Sequence, residues 1–124
     1  MPVVWFKQYS LYGGFEMRIC IPITTKTSKA QVALRFARSE YFAIVDQQLS
    51  NVEYVENPYL KLNRGVGNKL LNWLLSEYRV DAVLAFELGL KVQQIANEHH
   101  MQLIIISEKK QTLKQLLGYM GIES

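Results

Sequence analysis

The chain has 124 residues, with 14 Lys plus Arg against 11 Asp plus Glu, 49% apolar residues and a single cysteine. That length suits one domain with a true hydrophobic core, and the composition excludes a disordered chain, a coiled coil, an intramolecular disulfide and any multi-cysteine zinc or iron–sulfur cage. No apolar run nears the ~20 residues of a bilayer span, and the first ten residues, Lys7 among them, lack the pattern of a signal peptide, so the expected location is cytoplasmic with no membrane partner.

Residues 1–16 contain Trp5, Phe6, Tyr9, Tyr12 and Phe15 but no regular periodicity, which begins only at Met17. Two readings stay open. Gly13 to Met17 is codable as a ribosome-binding sequence ahead of a start codon, making Met17 the true start; alternatively the segment is an extra edge strand or a partner-binding arm. The chain therefore divides into an extension, 1–16, and a domain, 17–124.

Arg18 to Thr24 (RICIPIT) is apolar on both sides and predicts a central strand, although Pro22 has no amide to donate. Tyr41 to Asp46 (YFAIVD) and Asn51 to Asn57 (NVEYVEN), separated by a short polar stretch, predict a β-hairpin. After Asn57-Pro58 the spacing turns helical: Leu70, Leu71, Leu74, Leu75 and Tyr78 follow a start at Gly65, Gly67 and Asn68. Ala82 to Phe86 reads as a buried strand. Leu88, Val92, Ile95, Ala96 and His99 mark a second amphipathic helix, Leu103 to Ile106 a further buried strand, and Leu113, Leu116, Leu117 and Met120 a closing helix stopped at Gly121. The order β-β-β-α-β-α-β-α predicts an α/β fold with a mixed five-stranded sheet and helices on both faces.

In such sheets ligands collect beyond the carboxyl ends of the parallel strands, where the connections reverse direction. Three segments reach that place: Thr24 to Glu40, Gly65 to Asn68, and Glu87 to Gly89. The first is basic, with Lys26, Lys29, Arg35 and Arg38 against Glu40. Lys109, Lys110 and Lys114 form a second basic group that reads as solvated loop charge. At a net charge of +3 the nucleic-acid reading is the weakest of those weighed.

The segments MRICIPIT, RFARSEYFAIVD, VEYVENP, GVGNKLLNWL, VDAVLAFELG and QLIII, in this order from Met17 to the closing helix, resemble the dinitrogenase iron-molybdenum cofactor-binding family of nitrogenase accessory proteins. The resemblance implies a three-layer α/β/α fold of the ribonuclease-H-like kind, and a role in carrying or assembling a metal cluster. It also implies a histidine before a Phe-Gly pair in the loop after the first strand. Arg35, Phe36 and Ala37 stand at those positions, and a guanidinium has no lone pair for a metal. Gly89-Leu90 replaces the family's usual Gly-Pro.

Cys20, inside an apolar strand, reads as a small buried hydrophobe, and His99 and His100 as helix-end residues. No Asp or Glu occurs from Met17 to Ser39, so the carboxylates of a metal-dependent nuclease are missing, and no nucleophile–histidine pair is evident. Catalysis is not expected. The expected site is a cleft of Arg35, Phe36, Arg38, Gly65, Gly67 and Gly89 that takes an iron-molybdenum or iron–sulfur cluster transiently, or another small anion, with Phe36 as an apolar wall. The alternative is a protein-interaction module that keeps the fold without the cluster and pairs with another protein or a second copy through the exposed strand Val52 to Glu56.

Overall fold

The computed structural model describes residues 3–5, 17–86, 90–106 and 111–122. The strands are β1 (Val3–Trp5), β2 (Arg18–Ile23), β3 (Tyr41–Asp46), β4 (Asn51–Glu56), β5 (Ala82–Ala85) and β6 (Gln102–Ile106), and the helices α1 (Val66–Tyr78), α2 (Leu90–Glu98) and α3 (Leu113–Tyr119). They form one sheet in the order β1-β6-β5-β2-β3-β4. β2, β5 and β6 run parallel; β3 is antiparallel to β2 and β4 to β3. The mixed five-stranded sheet expected from the sequence is therefore present. The extension adds to it a short sixth strand, β1, paired antiparallel to β6 with Val4 opposite Ile105.

Alternation along β2 builds both sides of the core. Ile19, Ile21 and Ile23 face Leu113, Leu116 and Leu117 of α3, while Cys20 faces the layer that holds Leu70, Leu71 and Leu74 of α1 and Ala96 of α2. Because successive strand side chains point to opposite faces, a strand buried on both must be apolar throughout, as RICIPI nearly is. The three layers are thus α3, the sheet, and α1 with α2.

Pro22 fits this central position for a reason of direction. Its carbonyl accepts a hydrogen bond from the Ala33 amide (2.9 Å), so its backbone polar atoms point toward the β5 side, away from β3. A proline there cannot donate to a parallel neighbour. Pairing with β5 accordingly ends after Ile19 opposite Ala82 and Cys20 opposite Val83, and the returning chain takes over: Ile23 bridges Val32, and Gln31 bridges Thr112.

The helix ends are equally local in origin. Thr112 caps α3 in a reciprocal capping box with Gln115, and Gly121, at φ 75°, ends it with the Ile122 amide bonded to the Leu117 carbonyl (2.9 Å). α2 ends in the same motif. His100 takes the left-handed position at φ 57°, its amide reaching Asn97 and that of Met101 reaching Ala96.

Candidate functional site

The site is a rim at the carboxyl ends of β2 and β5, and its main segment is the stretch between Ile23 and Tyr41. Ala30 and Val32 are buried in the α3 layer, whereas Phe36 is buried in the α1–α2 layer. The chain between them, residues 33–35, therefore passes over the end of the sheet from one face to the other, at the point where the connections reverse.

Phe36 is only 2% exposed, its ring 5.3 Å from that of Phe42 and tilted by 46°. This corrects the expectation of an apolar wall: the ring anchors the rim from below and offers no face to a ligand. Leu34 and Arg35, immediately before it, are exposed. Arg35 has no ion pair among the described residues.

Arg38 is also exposed, but its Nη1 donates to the carbonyls of Leu62 (3.0 Å) and Leu60 (3.4 Å). Asn57, which is buried, completes the junction: its Nδ2 donates to the carbonyls of Ser39 (2.9 Å) and Ala37 (3.2 Å), and its Oδ1 accepts from the Tyr59 amide (2.9 Å). The Ser39 hydroxyl donates to the Tyr41 carbonyl (2.7 Å) and also lies 3.1 Å from that of Ile23, at the end of β2. These bonds fasten the end of the basic loop to residues 57–62, the segment that leads into α1.

That second segment ends at Gly65, the N-cap of α1, at φ 70°, where a side chain would be strained even though space is open. Gly67 lies in the first turn of α1. Early amides of a helix lack intrahelical acceptors and carry the positive end of its dipole. Arg64, exposed and adjacent to the cap, adds a cation that the sequence reasoning missed; its adjacency to Gly65 was the available signal. Gly89 and Glu87, the third stretch, and the basic pair Lys109 and Lys110 lie outside the described residues.

Beside this rim is a pocket of about 310 Å³ lined by Glu40, Tyr41, Glu56, Asn57, Pro58, Leu60 and Lys61. The Lys26 ammonium lies 3.7 Å from the Glu56 carboxylate and 5.4 Å from the centre of the Tyr41 ring. Sequence reasoning missed it too, because Glu40 and Glu56 become neighbours only through the register that pairs Tyr41 with Glu56. Glu40 and Glu56 in its lining are offset by Lys61 and by the neighbouring Lys26, so the pocket carries no excess of positive charge.

Among the described residues no soft metal donor reaches this place. Cys20 is fully buried, and burial pushes its thiol well above the usual value, so it stays protonated. His99 and His100 follow α2 and precede β6, at the opposite end of the sheet. Among the described residues no group of three His, Cys, Asp or Glu side chains is arranged to hold a metal ion. The described residues of the rim therefore offer no side-chain set for direct ligation of iron or molybdenum.

No helix among the described residues is long and apolar enough to cross a membrane. Among curated protein sequences none matches the chain significantly. Solved structures do match its fold. The apo form of the orange protein from Desulfovibrio gigas superposes with a TM-score of 0.73 at 22% identity, covering 86% of this chain and 88% of that one. A Thermotoga protein described as NifB-like and placed in the DUF35 family gives a TM-score of 0.70 at 28% identity, over 85% and 87%. The family model for dinitrogenase iron-molybdenum cofactor matches residues 17–119, from the first residue before β2 to the last of α3, and the chain belongs to that family.

Proposed function

We propose that this protein is a non-catalytic binder of an anionic metal–sulfur cluster or another small anion, taken as transient cargo across the carboxyl rim of the sheet. The observation that supports the reading is the fastening of the basic loop, which carries the exposed Arg35, to the 57–62 segment that leads into α1, with no group of metal-holding side chains among the described residues. Family membership and the NifB-like description of the Thermotoga protein support a cluster as the cargo. The cluster keeps its own sulfide or thiolate ligands, the Arg35 guanidinium donates to its outer atoms, and the unpaired amides of the first turn of α1 face its negative charge. The absence of acids between Met17 and Ser39 supports a role without catalysis, and a lone thiol suits the reducing cytoplasm.

Anaerobic titration with isolated iron-molybdenum cofactor, or with a synthetic iron–sulfur cluster, followed by visible absorption tests this. Saturable binding that weakens in Arg35→Ala is expected. An unchanged spectrum, or binding indifferent to Arg35, would overturn the reading.

A second reading, an interaction module, is favoured by one observation: β4 is the outer strand of the sheet, and Asn51, Glu53 and Glu56 on it are exposed. An open strand edge is a template for another chain. Sedimentation velocity of the full chain distinguishes this reading, since a monomer at all concentrations speaks against self-pairing.

A further inference from the structure

Val32 and Phe36 stand four positions apart and are buried on opposite faces of the sheet. The residues between them are held across its end, with the Ala33 amide bonded to the Pro22 carbonyl (2.9 Å) on one side and the buried Phe36 packed against Phe42 on the other. Two side chains project from this short bridge, Leu34 and Arg35. Leu34 is 60% exposed, and the only other large apolar side chain with comparable exposure among the described residues is Leu49, in the turn between β3 and β4.

A lone exposed leucine is ordinary on a protein surface. What distinguishes Leu34 is its place, next in sequence to a guanidinium that has no ion pair among the described residues and on the stretch that crosses the end of the sheet. Its isobutyl group adds nothing for a small hydrated anion, which keeps its water shell. It does add contact for an anion with an apolar or polarisable surface, because covering such surface removes it from water. Arg38 has the opposite character. Its charge is exposed, but its Nη1 is engaged with the carbonyls of Leu60 and Leu62, on the segment that delivers Gly65 to the rim.

We propose that the ligand at this rim touches Leu34 and Arg35 together, that it is a compact anion with an apolar or polarisable face, and that Arg38 is a positioning residue that holds the 57–65 segment. The proposal deepens the anion-binding reading and rests on it. It replaces Phe36 with Leu34 as the apolar contact and removes Arg38 from the contact set.

The experiment has a ligand-free arm and a binding arm. In the first, amide hydrogen exchange over residues 57–66 is compared among the parent protein, Arg38→Ala and Arg35→Ala, with no ligand added. Faster exchange in Arg38→Ala alone is expected; equal exchange in all three would overturn the positioning role. In the second arm, a synthetic [4Fe–4S] cluster capped by four benzenethiolates and inorganic sulfate serve as probes, at several salt concentrations. Leu34→Ser should weaken the capped cluster roughly threefold to tenfold and leave sulfate unchanged. Arg35→Ala should weaken the cluster by about tenfold and flatten its salt dependence, whereas Arg38→Ala should weaken it without flattening that dependence. A salt dependence flattened equally by both arginine variants would make Arg38 a contact and refute its assignment. A cluster affinity unaltered in Leu34→Ser would refute the apolar contact. If neither probe binds the parent protein, the anion reading itself fails and the ligand contacts fall with it, while the exchange arm still decides the role of Arg38.

Discussion

Phe36 offers the sharpest test of how the rim is built. The substitution is Phe36→Ala. The ring is 2% exposed and packs against Phe42 at 5.3 Å within the cluster that includes Leu70, Leu71 and Leu74. Truncating a buried phenylalanine to alanine costs about 3–5 kcal/mol from lost transfer energy and the cavity left behind, and the tilted ring pair accounts for ~0.5–1.5 kcal/mol of that. A domain of this size has a total stability of about 5–15 kcal/mol, so the variant should be folded but markedly weakened, with a melting temperature lower by roughly 10–20 °C. Urea unfolding followed by far-ultraviolet circular dichroism measures the loss directly, and an unchanged slope confirms that the same surface is being exposed. Phe36→Leu, which refills part of the space, should fall between the two. Leu34→Ala, two residues away but exposed, should change stability by no more than about 0.5 kcal/mol. A loss below about 1 kcal/mol for Phe36→Ala would show that the ring lies open at the cleft, as the sequence first suggested, and would refute the account of the rim as a bridge anchored from below.

Two further predictions concern the supports of the rim and of the opposite end of the sheet. Asn57→Asp places a carboxylate against the carbonyls of Ala37 and Ser39 that now receive two N–H bonds, and should destabilise the protein by about 2–4 kcal/mol in thermal melts at pH 7; a melt matching the parent would contradict the network. At the other end, the carboxyl of Asp46 is held below its ordinary range by the Leu49 amide and, further, by Arg18, against the opposing effect of burial. A depressed folded-state value means the contribution is complete above the unfolded carboxylate range, near pH 4, and is lost as the pH falls through the folded value. Stability should therefore decline on the acid side below about pH 4 by an increment absent from Asp46→Asn, and parallel acid profiles for the two proteins would exclude that role.

Much of the fold was legible because its signals are short-ranged. The double-sided apolar character of RICIPI marks a strand with neighbours on both edges and layers on both faces, and the three-and-four spacing of Leu70, Leu71 and Leu74 fixes the buried face of α1. Gly121 marks the end of α3 because the left-handed position there favours glycine. The edge strand β1 is legible only as an alternative, since residues 3–5 carry no distinctive alternation and their pairing with β6 spans nearly the whole chain. Phe36 was misjudged for the same kind of reason. In a loop, no periodicity tells whether an aromatic ring turns inward or outward, and its burial depends on Phe42 and α1, which are distant in sequence. Arg38 was recognised as a cation, but not as a donor to Leu60 and Leu62, because hydrogen bonds between loops leave no pattern in the sequence.

The arrangement of Pro22 connects these observations. A residue able to donate at that position would favour continued pairing of β2 with β5 up to the end of the strand, closing the sheet where the connections reverse. With no amide at Pro22, the ladder to β5 stops after Cys20, and residues 31–33 occupy the gap. The chain must then cross the end of the sheet to bury Phe36 on the far face, and this crossing is what carries Leu34 and Arg35 onto the rim. A cation presented in this way lies in water, where the screening length is about 8 Å at physiological salt, so a cargo held there by charge and contact alone is held weakly and released readily. That property is what the proposed role with transient cargo requires, and on that proposal it traces to a missing amide in β2 as much as to the basic side chains above it.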